Sequence, residues 1–262
     1  MLNKTLVFSV AMNGYQWRYN ALINSHRRYC EKQGYDYVSV NKPSSTVLGH
    51  EVAWLKIRLI IKALEKGYRW VVFLDADTEI KLSAPAVQTL ECNDKHIYMA
   101  KGYSGRINSG VIIVRNNTAS RYFFRLVLDN ALTPIPLEDQ VGWGENGHII
   151  HYAKQFSNVQ IIGNEWNNNH QESEQDYIRH YSAGPFRNTD NPPLRSMILY
   201  KLHHYSLAAL KRIKAPYHKI SSERFGIRLE KLSEQVEKHF PEFEGDWRSN
   251  SNFAPAAFQT KP

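Results

Sequence analysis

An uninterrupted run of five apolar residues, Trp70 to Leu74, constrains the fold of this chain more than any other segment. A strand with one face in water alternates apolar and polar side chains, whereas a short continuous apolar run favours a strand buried on both faces. Such strands occur in parallel sheets that helices cover on both sides. The run therefore predicts a central strand in a layered α/β fold.

Predicted strands and helices alternate along the first two-thirds of the chain, as expected for consecutive βαβ units. The other predicted strands are Thr5–Ala11, Asp36–Val40, His96–Ala100, Gly110–Arg115 and Val159–Gly163. The predicted helices are Gln16–Gln33, Glu51–Lys66, Ala119–Leu132 and Leu137–Gly147, and Asn164–Asn169 is predicted as loop. Glycines at 34 and 67 supply stop signals for the first two helices. This alternation predicts a largely parallel sheet.

The length of 262 residues and the 42% hydrophobic content suit one catalytic domain with C-terminal additions. We expect the domain at residues 1–190 and a basic helical extension packed on it at residues 191–248. Residues 249–262 are predicted to be a disordered tail.

Cysteine content and the N-terminal sequence bear on the compartment. Cys30 and Cys92 are too few for a disulfide framework and fit a reducing environment. The apolar run Leu6–Met12 is too short for a transmembrane helix and lacks a signal-peptide layout. We therefore expect a cytoplasmic protein.

Asp75-Ala76-Asp77 follows the buried strand directly. Ligands of α/β sheets bind beyond the carboxyl ends of the strands, and residues i and i+2 of an extended segment point the same way. Two carboxylates so placed can hold a divalent cation that bridges a diphosphate. The alternative is that both aspartates cap a turn or the next helix. The preceding buried strand favours the metal site.

Lys56 lies on the apolar arc of the predicted helix Glu51–Lys66 when the helix is drawn as a wheel. The opposite arc carries Glu51, Arg58, Lys62, Glu65 and Lys66. An inward-facing lysine needs an anionic partner because desolvation of its charge is costly. Lys56 is therefore either a cation directed at bound phosphate or sugar near Asp75, or a lysine that snorkels to the edge of the core.

An ordered set of motifs resembles the retaining GT-A glycosyltransferases. The set begins with Trp54-Leu55-Lys56, Gly67-Tyr68 and Val71-Val72-Phe73-Leu74-Asp75-Ala76-Asp77, and continues with Asn108-Ser109-Gly110, Glu138-Asp139-Gln140 and His180-Tyr181-Ser182-Ala183-Gly184. The resemblance is closer to the galactosyl- and xylosyltransferase family of yeast and plants, and looser to the glycogenin-like enzymes. It implies a GT-A fold, which is a Rossmann-like α/β fold with a mixed, mostly parallel sheet, here followed by a helical C-terminal extension.

The resemblance also implies the site residues. Asp75, Asp77 and His180 are expected to bind Mn²⁺ or Mg²⁺, and Asp139 and Gln140 to line the reacting face. The residues expected to bind the donor are Val10, Ala11, Tyr15, Lys56, Asp75, Ala76, Asn108, Ser109, Gly110 and Gly184. Manganese accepts such a mixture of oxygen and nitrogen ligands.

The activity implied by the resemblance is metal-dependent transfer of a hexose, with retention, to a glycan or glycolipid. The donor is expected to be a nucleotide-sugar, UDP-linked, with galactose as the family-based guess. The chain departs from the glycogenin-like pattern after His180, where Arg187 stands in place of a lysine near Gly184. The segment Val10–Tyr15 matches the base-binding loop of the family only loosely.

Two other functions fit parts of the sequence. Phe73–Thr78 also matches the opening motif of haloacid-dehalogenase-like phosphatases, in which the first aspartate is the nucleophile. The downstream acidic motif of that class is missing, and seventy residues precede the strand. A non-catalytic module that binds nucleotide-sugars is the other alternative.

The formal net charge of +8 implies anionic partners, such as nucleotide phosphates, an acidic membrane surface or nucleic acid. No zinc, helix-turn-helix or RNA-binding signature supports nucleic acid as the partner. Between Asp190 and Glu223 the sequence has basic residues and no acidic ones. An apolar stripe at helical spacing runs through this segment, at Leu194, Ile198, Leu202, Tyr205, Ala209 and Ile213. The segment predicts either peripheral docking on an anionic membrane or a helix whose stripe packs on the catalytic domain.

Overall fold

The computed structural model describes residues 2–44, 46, 49–142, 144–172, 175–182, 184–187, 189–214 and 225–245. The predicted tail at 249–262 lies outside these residues, and the domain division stays a prediction. The strands are β1 (Leu2–Val10), β2 (Asp36–Val40), β3 (Tyr68–Leu74), β4 (Thr78–Ile80), β5 (Ile97–Ala100), β6 (Val111–Arg115), β7 (Val159–Ile162) and β8 (Ile178–His180). The helices are α1 (Tyr15–Arg18), α2 (Asn20–Gln33), α3 (His50–Lys66), α4 (Thr118–Asp129), α5 (Asn146–Ala153), α6 (Leu194–Lys214) and α7 (Phe225–Glu237).

Six of these strands form the central sheet, in the order β2-β1-β3-β6-β5-β7. β6 is antiparallel to both of its neighbours, and the other five strands run in one direction. The prediction of a mixed, mostly parallel sheet is confirmed. Because β6 runs in the opposite direction, its first residues lie at the same sheet edge as the carboxyl ends of β1 and β3.

The central strand β3 is buried on both faces, as its apolar run predicted. Val71 and Phe73 belong to the core beneath α3 and α4, whereas Val72 and Leu74 belong to the core on the other face of the sheet. Phe73 packs edge-to-face on Phe8 of β1, with ring centroids 5.3 Å apart. The two cores fix the point at which β3 ends and Asp75 begins.

Two helix predictions were wrong in detail. The predicted helix Gln16–Gln33 is divided into α1 and α2 at Tyr19, whose backbone leaves the helical region. The predicted helix Leu137–Gly147 is replaced by one 3-10 turn, Leu137–Asp139, and by the start of α5. Gly144 has a φ of 93°, which a right-handed helix does not accommodate, so α5 begins only after it.

The strand pair β4 and β8 was not predicted. Each strand has only three residues, which is too short to show an alternating pattern. The pair is antiparallel, and Thr78 lies opposite His180. This pairing brings a residue from late in the chain to the end of β3.

The polar arc of α3 faces α7. Ion pairs join Lys62 to Glu237 at 2.8 Å and Arg228 to Glu51 at 2.6 Å, and both α3 residues are buried. The charged arc is therefore a packing surface.

Helix α6 packs on α1 through the face opposite its apolar stripe. The rings of His203 and Trp17 lie 4.8 Å apart, and Tyr200 packs on the backbone of Gly14. The described members of the stripe, Leu194, Ile198, Leu202, Tyr205 and Ala209, are exposed. The interpretation that this stripe packs on the catalytic domain is therefore wrong. In the part of the chain that the structure describes, no helix combines the length and the apolar character needed to cross a bilayer.

His26 of α2 joins the sheet to the turn that leads into β4. Its Nδ1 accepts a hydrogen bond from Ser9 Oγ at 2.9 Å, and its Nε2 donates to the Thr78 carbonyl at 2.7 Å. Thr78 Oγ1 in turn donates to the Asp75 carbonyl at 2.8 Å. Burial lowers the pKa of His26 to about 4, so the ring is neutral and the contacts fix its tautomer.

The depressed pKa of His26 predicts a pH-dependent stability. An unfolded histidine titrates near its usual pKa of 6.5, so below that pH the unfolded state binds more protons and stability falls as pH decreases. This single group is expected to cost about 2 kcal/mol between pH 7 and pH 5. Urea unfolding of the wild type and of His26→Gln at both pH values measures the difference. Exposed His239→Gln is the control, and equal pH dependence in wild type and His26→Gln contradicts the prediction.

Candidate functional site

The candidate site lies at the sheet edge where β1 and β3 end and β6 begins. The Asp75 backbone N–H donates to the Gly110 carbonyl at 2.7 Å, which joins the ends of β3 and β6. The Tyr181 N–H donates to the Asp77 carbonyl at 3.0 Å, which fixes His180 beside the same turn. The fold therefore brings together side chains from three separate segments.

Asp75, Asp77 and His180 form a cluster with the composition of a metal site. One ligand atom from each side chain lies within 4.8 Å of the others. His180 Nε2 is 3.2 Å from Asp77 Oδ1 and 3.8 Å from Asp75 Oδ2. The three predicted ligands are therefore adjacent, and together these side chains would hold a divalent cation.

Asn167 fixes the orientation of the His180 ring. The Asn167 amide nitrogen donates to the Asn108 carbonyl and side-chain oxygens, each at 3.1 Å, so its own oxygen is an acceptor. His180 Nδ1 donates to that oxygen at 2.8 Å, which leaves Nε2 with its lone pair toward the two carboxylates. A histidine that ligates a metal is oriented in this way by a hydrogen bond on its other nitrogen.

The environment of Nε2 fits a divalent cation. The atom is buried and has no hydrogen-bond partner among the described residues. A lone pair and two carboxylates facing one another repel unless a proton or a cation lies between them. Oxygen ligands with one imidazole nitrogen are a suitable set for manganese or magnesium.

Charge around the cluster shifts the pKa values of its members. Burial alone would raise the pKa of Asp77, but His180 beside it lowers that pKa below the usual value. Burial alone would lower the pKa of His180, but the Asp77 carboxylate raises it. The pKa of Asp75 is raised by burial against the opposing effect of Lys56. Without a cation, a proton on His180 is thus the favoured counter-charge for Asp77.

Lys56 is buried and reaches the same site from α3. Its Nζ donates to the Ser109 carbonyl at 3.0 Å and lies 2.5 Å from Glu145 Oε1 and 3.7 Å from Asp75 Oδ1. Burial lowers the pKa of Lys56, but the carboxylates of Asp75 and Glu145 raise it more, so the ammonium is charged. Because Lys56 is only 6% exposed, the snorkelling interpretation is wrong.

Glu145 is a site residue that the sequence did not reveal. Its carboxylate is buried, accepts from Ser109 Oγ at 2.7 Å and pairs with Lys56. It stands immediately before α5, and the next residue, Asn146, accepts a hydrogen bond from the Ser109 backbone N–H at 3.0 Å. The sequence signal that could have indicated Glu145 is Gly144, because a glycine here separates Glu145 and Asn146 from the preceding loop.

The predicted reacting pair, Asp139 and Gln140, makes its described contacts elsewhere. The Asp139 carboxylate is buried, accepts from His151 Nδ1 at 2.8 Å and pairs with Lys154 of the turn after α5. Gln140 is exposed and donates to the Ile135 carbonyl at 3.0 Å. No described contact joins either side chain to the Asp75 cluster, and their catalytic role stays a prediction.

The other predicted donor residues lie at the end of β1, on α1, in the turn after β3 and in the segment after β8. Tyr15 on α1 has a pKa raised by burial, then by Tyr200 and by Asp77 and Asp75, which places it near the carboxylates. Ala11 and Ala76 are buried together on Ile23, and Val10 ends β1. Gly184 has a φ of 134° and lies against the Asn169 carbonyl. Their contacts with a donor stay predictions.

Comparison with known proteins identifies the class of enzyme. Residues 16–145 match the profile of a family described as nucleotide-diphospho-sugar transferase. The matched part contains Lys56, Asp75, Asp77, Ser109 and Glu145. This match confirms the prediction that the chain is a glycosyltransferase. No curated protein sequence matches the chain.

Solved structures confirm the GT-A fold. A glycosyltransferase involved in glycosylation of the major capsid of PBCV-1 aligns with a TM-score of 0.55 and 13% identity, over 75% of this chain and 98% of that chain. The bifunctional glycosyltransferase WbbM aligns with a TM-score of 0.54 and 14% identity, over 77% of this chain and 52% of that chain. At these identities the similarity establishes the fold alone.

Gly110 provides a test of the cluster geometry. A Cβ at this position would lie 2.1 Å from His180 Cε1, so Gly110→Ala must displace the imidazole. We expect Mn²⁺ affinity to fall by about 10- to 100-fold, as for loss of a contact that orients a metal ligand. Titration of Mn²⁺ followed by electron paramagnetic resonance measures it. Gly226→Ala, which meets no atom within 4 Å, is the control. Unchanged Mn²⁺ affinity in Gly110→Ala contradicts the assignment of His180 as a ligand.

Proposed function

We propose that this chain is a metal-dependent glycosyltransferase that transfers a hexose from a UDP-sugar to a glycan or glycolipid acceptor, with retention. The observation that carries the metal dependence is the cluster of Asp75, Asp77 and His180 with its unpartnered buried Nε2. Three carboxylates, those of Asp75, Asp77 and Glu145, face one ammonium group. With His180 neutral, two negative charges remain, and a divalent cation neutralises them.

Asp75, Asp77 and His180 would hold Mn²⁺ or Mg²⁺. When bound, such a cation neutralises the negative charge on a diphosphate leaving group, which is the principal demand of this reaction class. The residues of the chain supply the orientation. Asn167 sets the His180 tautomer, and the hydrogen bond from Asp75 to Gly110 fixes the first carboxylate at the sheet edge.

Lys56 keeps the acidic residues close together. Its ammonium lies between Asp75 and Glu145, which would otherwise repel one another in a poorly solvated site. We assign Glu145, beside Ser109, to the reacting face. The sequence had predicted Asp139 for this role. Its support is the buried carboxylate and the bond from Ser109 Oγ.

The segment Asn108–Gly110 is proposed to orient the donor sugar. Asn108 Oδ1 accepts from the Gly110 N–H at 2.9 Å, and Asn146 holds the Ser109 N–H at 3.0 Å. These bonds make the segment rigid, which reduces the entropy lost when a sugar is positioned. The hexose, the UDP moiety, the glycan or glycolipid acceptor and retention rest on the resemblance to the retaining enzymes.

A phosphatase is the less favoured function. It needs a nucleophilic aspartate at position 75, whereas Asp75 here shares a counter-ion with Glu145 and adjoins an imidazole that would compete for the metal. The family match includes this position and favours the transferase.

Asp77→Asn tests the metal site. Loss of one charged ligand is expected to abolish transfer and to weaken Mn²⁺-dependent binding of UDP, while the fold persists. Isothermal titration of UDP with and without Mn²⁺, together with UDP release from a panel of UDP- and GDP-sugars, measures both effects. Hydrolysis of simple phosphate monoesters in the same assay would indicate a phosphatase.

Asp94→Asn is the matched control for this change, because Asp94 is exposed with a φ of 62°, a conformation that asparagine adopts readily. The control should behave as wild type. Full transfer by Asp77→Asn, or full transfer by the wild type in excess EDTA, contradicts metal dependence.

Lys56→Met tests the charge between the carboxylates. We expect activity to fall by orders of magnitude. We also expect the free energy of unfolding to fall by about 3–5 kcal/mol, because Glu145 is left buried without its partner. The double change Lys56→Met with Glu145→Gln should recover part of that stability without recovering activity. Chemical unfolding and UDP-release rates, measured below the unfolding transition, provide the two readouts.

Lys62→Met is the matched control for Lys56→Met. Lys62 is equally buried on α3 and is paired with Glu237 of α7, away from the site. The Lys62→Met variant should lose about as much stability as Lys56→Met and should keep its activity. If both lysine changes lower activity equally, Lys56 has only a structural role.

A further inference from the structure

The outward surface of α6 carries an exposed apolar stripe. Its described members lie at helical spacing, with exposed fractions of 77% for Leu194, 49% for Ile198, 61% for Leu202 and 69% for Tyr205. Isolated exposed apolar residues are common, but a contiguous row along one helix marks a contact surface.

The opposite face of α6 anchors the helix to the catalytic part. Tyr200 and His203 pack on α1, and Arg18 of α1 forms a bidentate ion pair with Asp190, just before α6 begins. Leu207 on this face is buried. The stripe therefore points outward on a helix that is fixed in place.

Basic residues accompany the stripe. The segment 191–222 contains six lysine and arginine residues and no acidic residue, and the formal net charge of the whole chain is +8. On the helical wheel, exposed Lys201 and Arg212 lie at one edge of the stripe and exposed Arg195 at the other. The surface is therefore apolar along its centre and positively charged around it.

We propose that α6 docks the protein on an anionic lipid surface. The stripe would enter the interfacial region of the bilayer, while the long basic side chains extend to lipid phosphates. A second copy of this chain fits less well, because a two-fold contact through the stripe would bring two strongly positive segments together. Tyr200 of α6 neighbours Tyr15, and the Tyr15 ring packs on Tyr19 with centroids 5.2 Å apart. Tyr19 in turn packs against the small core that contains Ala76, the residue between the two aspartates, so docking holds that site beside the membrane.

Co-sedimentation of the full chain with phosphatidylcholine vesicles, with and without phosphatidylglycerol, tests the proposal. We expect binding only to the anionic vesicles, with weaker binding at high salt. Lys201→Gln with Arg212→Gln should weaken binding by about fivefold per charge at low salt. Ile198→Ser with Leu202→Ser should weaken it by more than about tenfold.

Matched controls lie elsewhere on the surface. Leu132→Ser with Leu137→Ser removes two exposed leucines, and Lys66→Gln with Lys238→Gln removes two exposed charges. Both controls should bind as wild type, and thermal melting verifies that every variant is folded.

Three results overturn the proposal. The first is no binding to anionic vesicles at low salt. The second is an equal loss of binding in the controls and in the α6 variants. The third is a wild-type dimer, detected by sedimentation velocity, that dissociates in the variant Ile198→Ser with Leu202→Ser, combined with no retention of protein by vesicles. That result would assign the stripe to self-association.

Discussion

The buried ammonium of Lys56 is the contact on which the arrangement of the candidate site depends. Carboxylates from the end of β3 and from the residue before α5 both face this cation, which offsets the repulsion between them. The cation can lie there because α3 packs against the sheet and carries Lys56 on its buried face. Core packing and site electrostatics are therefore not separable at this position. The helix that covers the sheet also delivers the charge that the sheet edge needs.

The antiparallel strand β6 is the second determinant of the site. In a fully parallel sheet, a neighbour of β3 would present its last residue at the functional edge. Here β6 presents its first residues, so the rigid turn Asn108–Gly110 and its backbone hydrogen bond to Asp75 stand beside the acidic pair. Gly110 is required at this place because His180 packs directly on it.

The sheet, the acidic pair and Lys56 could be predicted because each leaves a local trace in the sequence, whereas His180 was expected only from the resemblance to the retaining enzymes. A buried strand is a continuous apolar run, and an inward lysine breaks the pattern of an amphipathic helix. Glu145 and Asn167 left no such trace. Gly142 and Gly144 interrupt the helix that was predicted there, and Gly144 has a positive φ, but neither glycine indicates that the Glu145 side chain is buried beside Lys56. Asn167 acts through His180, a neighbour in space and not in sequence. The stripe on α6 was visible, but periodicity alone does not tell whether an apolar face meets the same protein or another surface.

The short ladder between β4 and β8 has a consequence for how the protein is assembled. It joins Thr78 to His180, about a hundred positions apart in the chain, through a pairing of only three residues. The sheet order of the earlier strands does not depend on this closure, whereas the third side chain of the cluster does. An ion bound by all three side chains would therefore link the turn after β3 to β8. Its binding free energy would add to the stability of the folded segment around β8. In this arrangement, occupancy of the site would depend on whether the segment around β8 has folded.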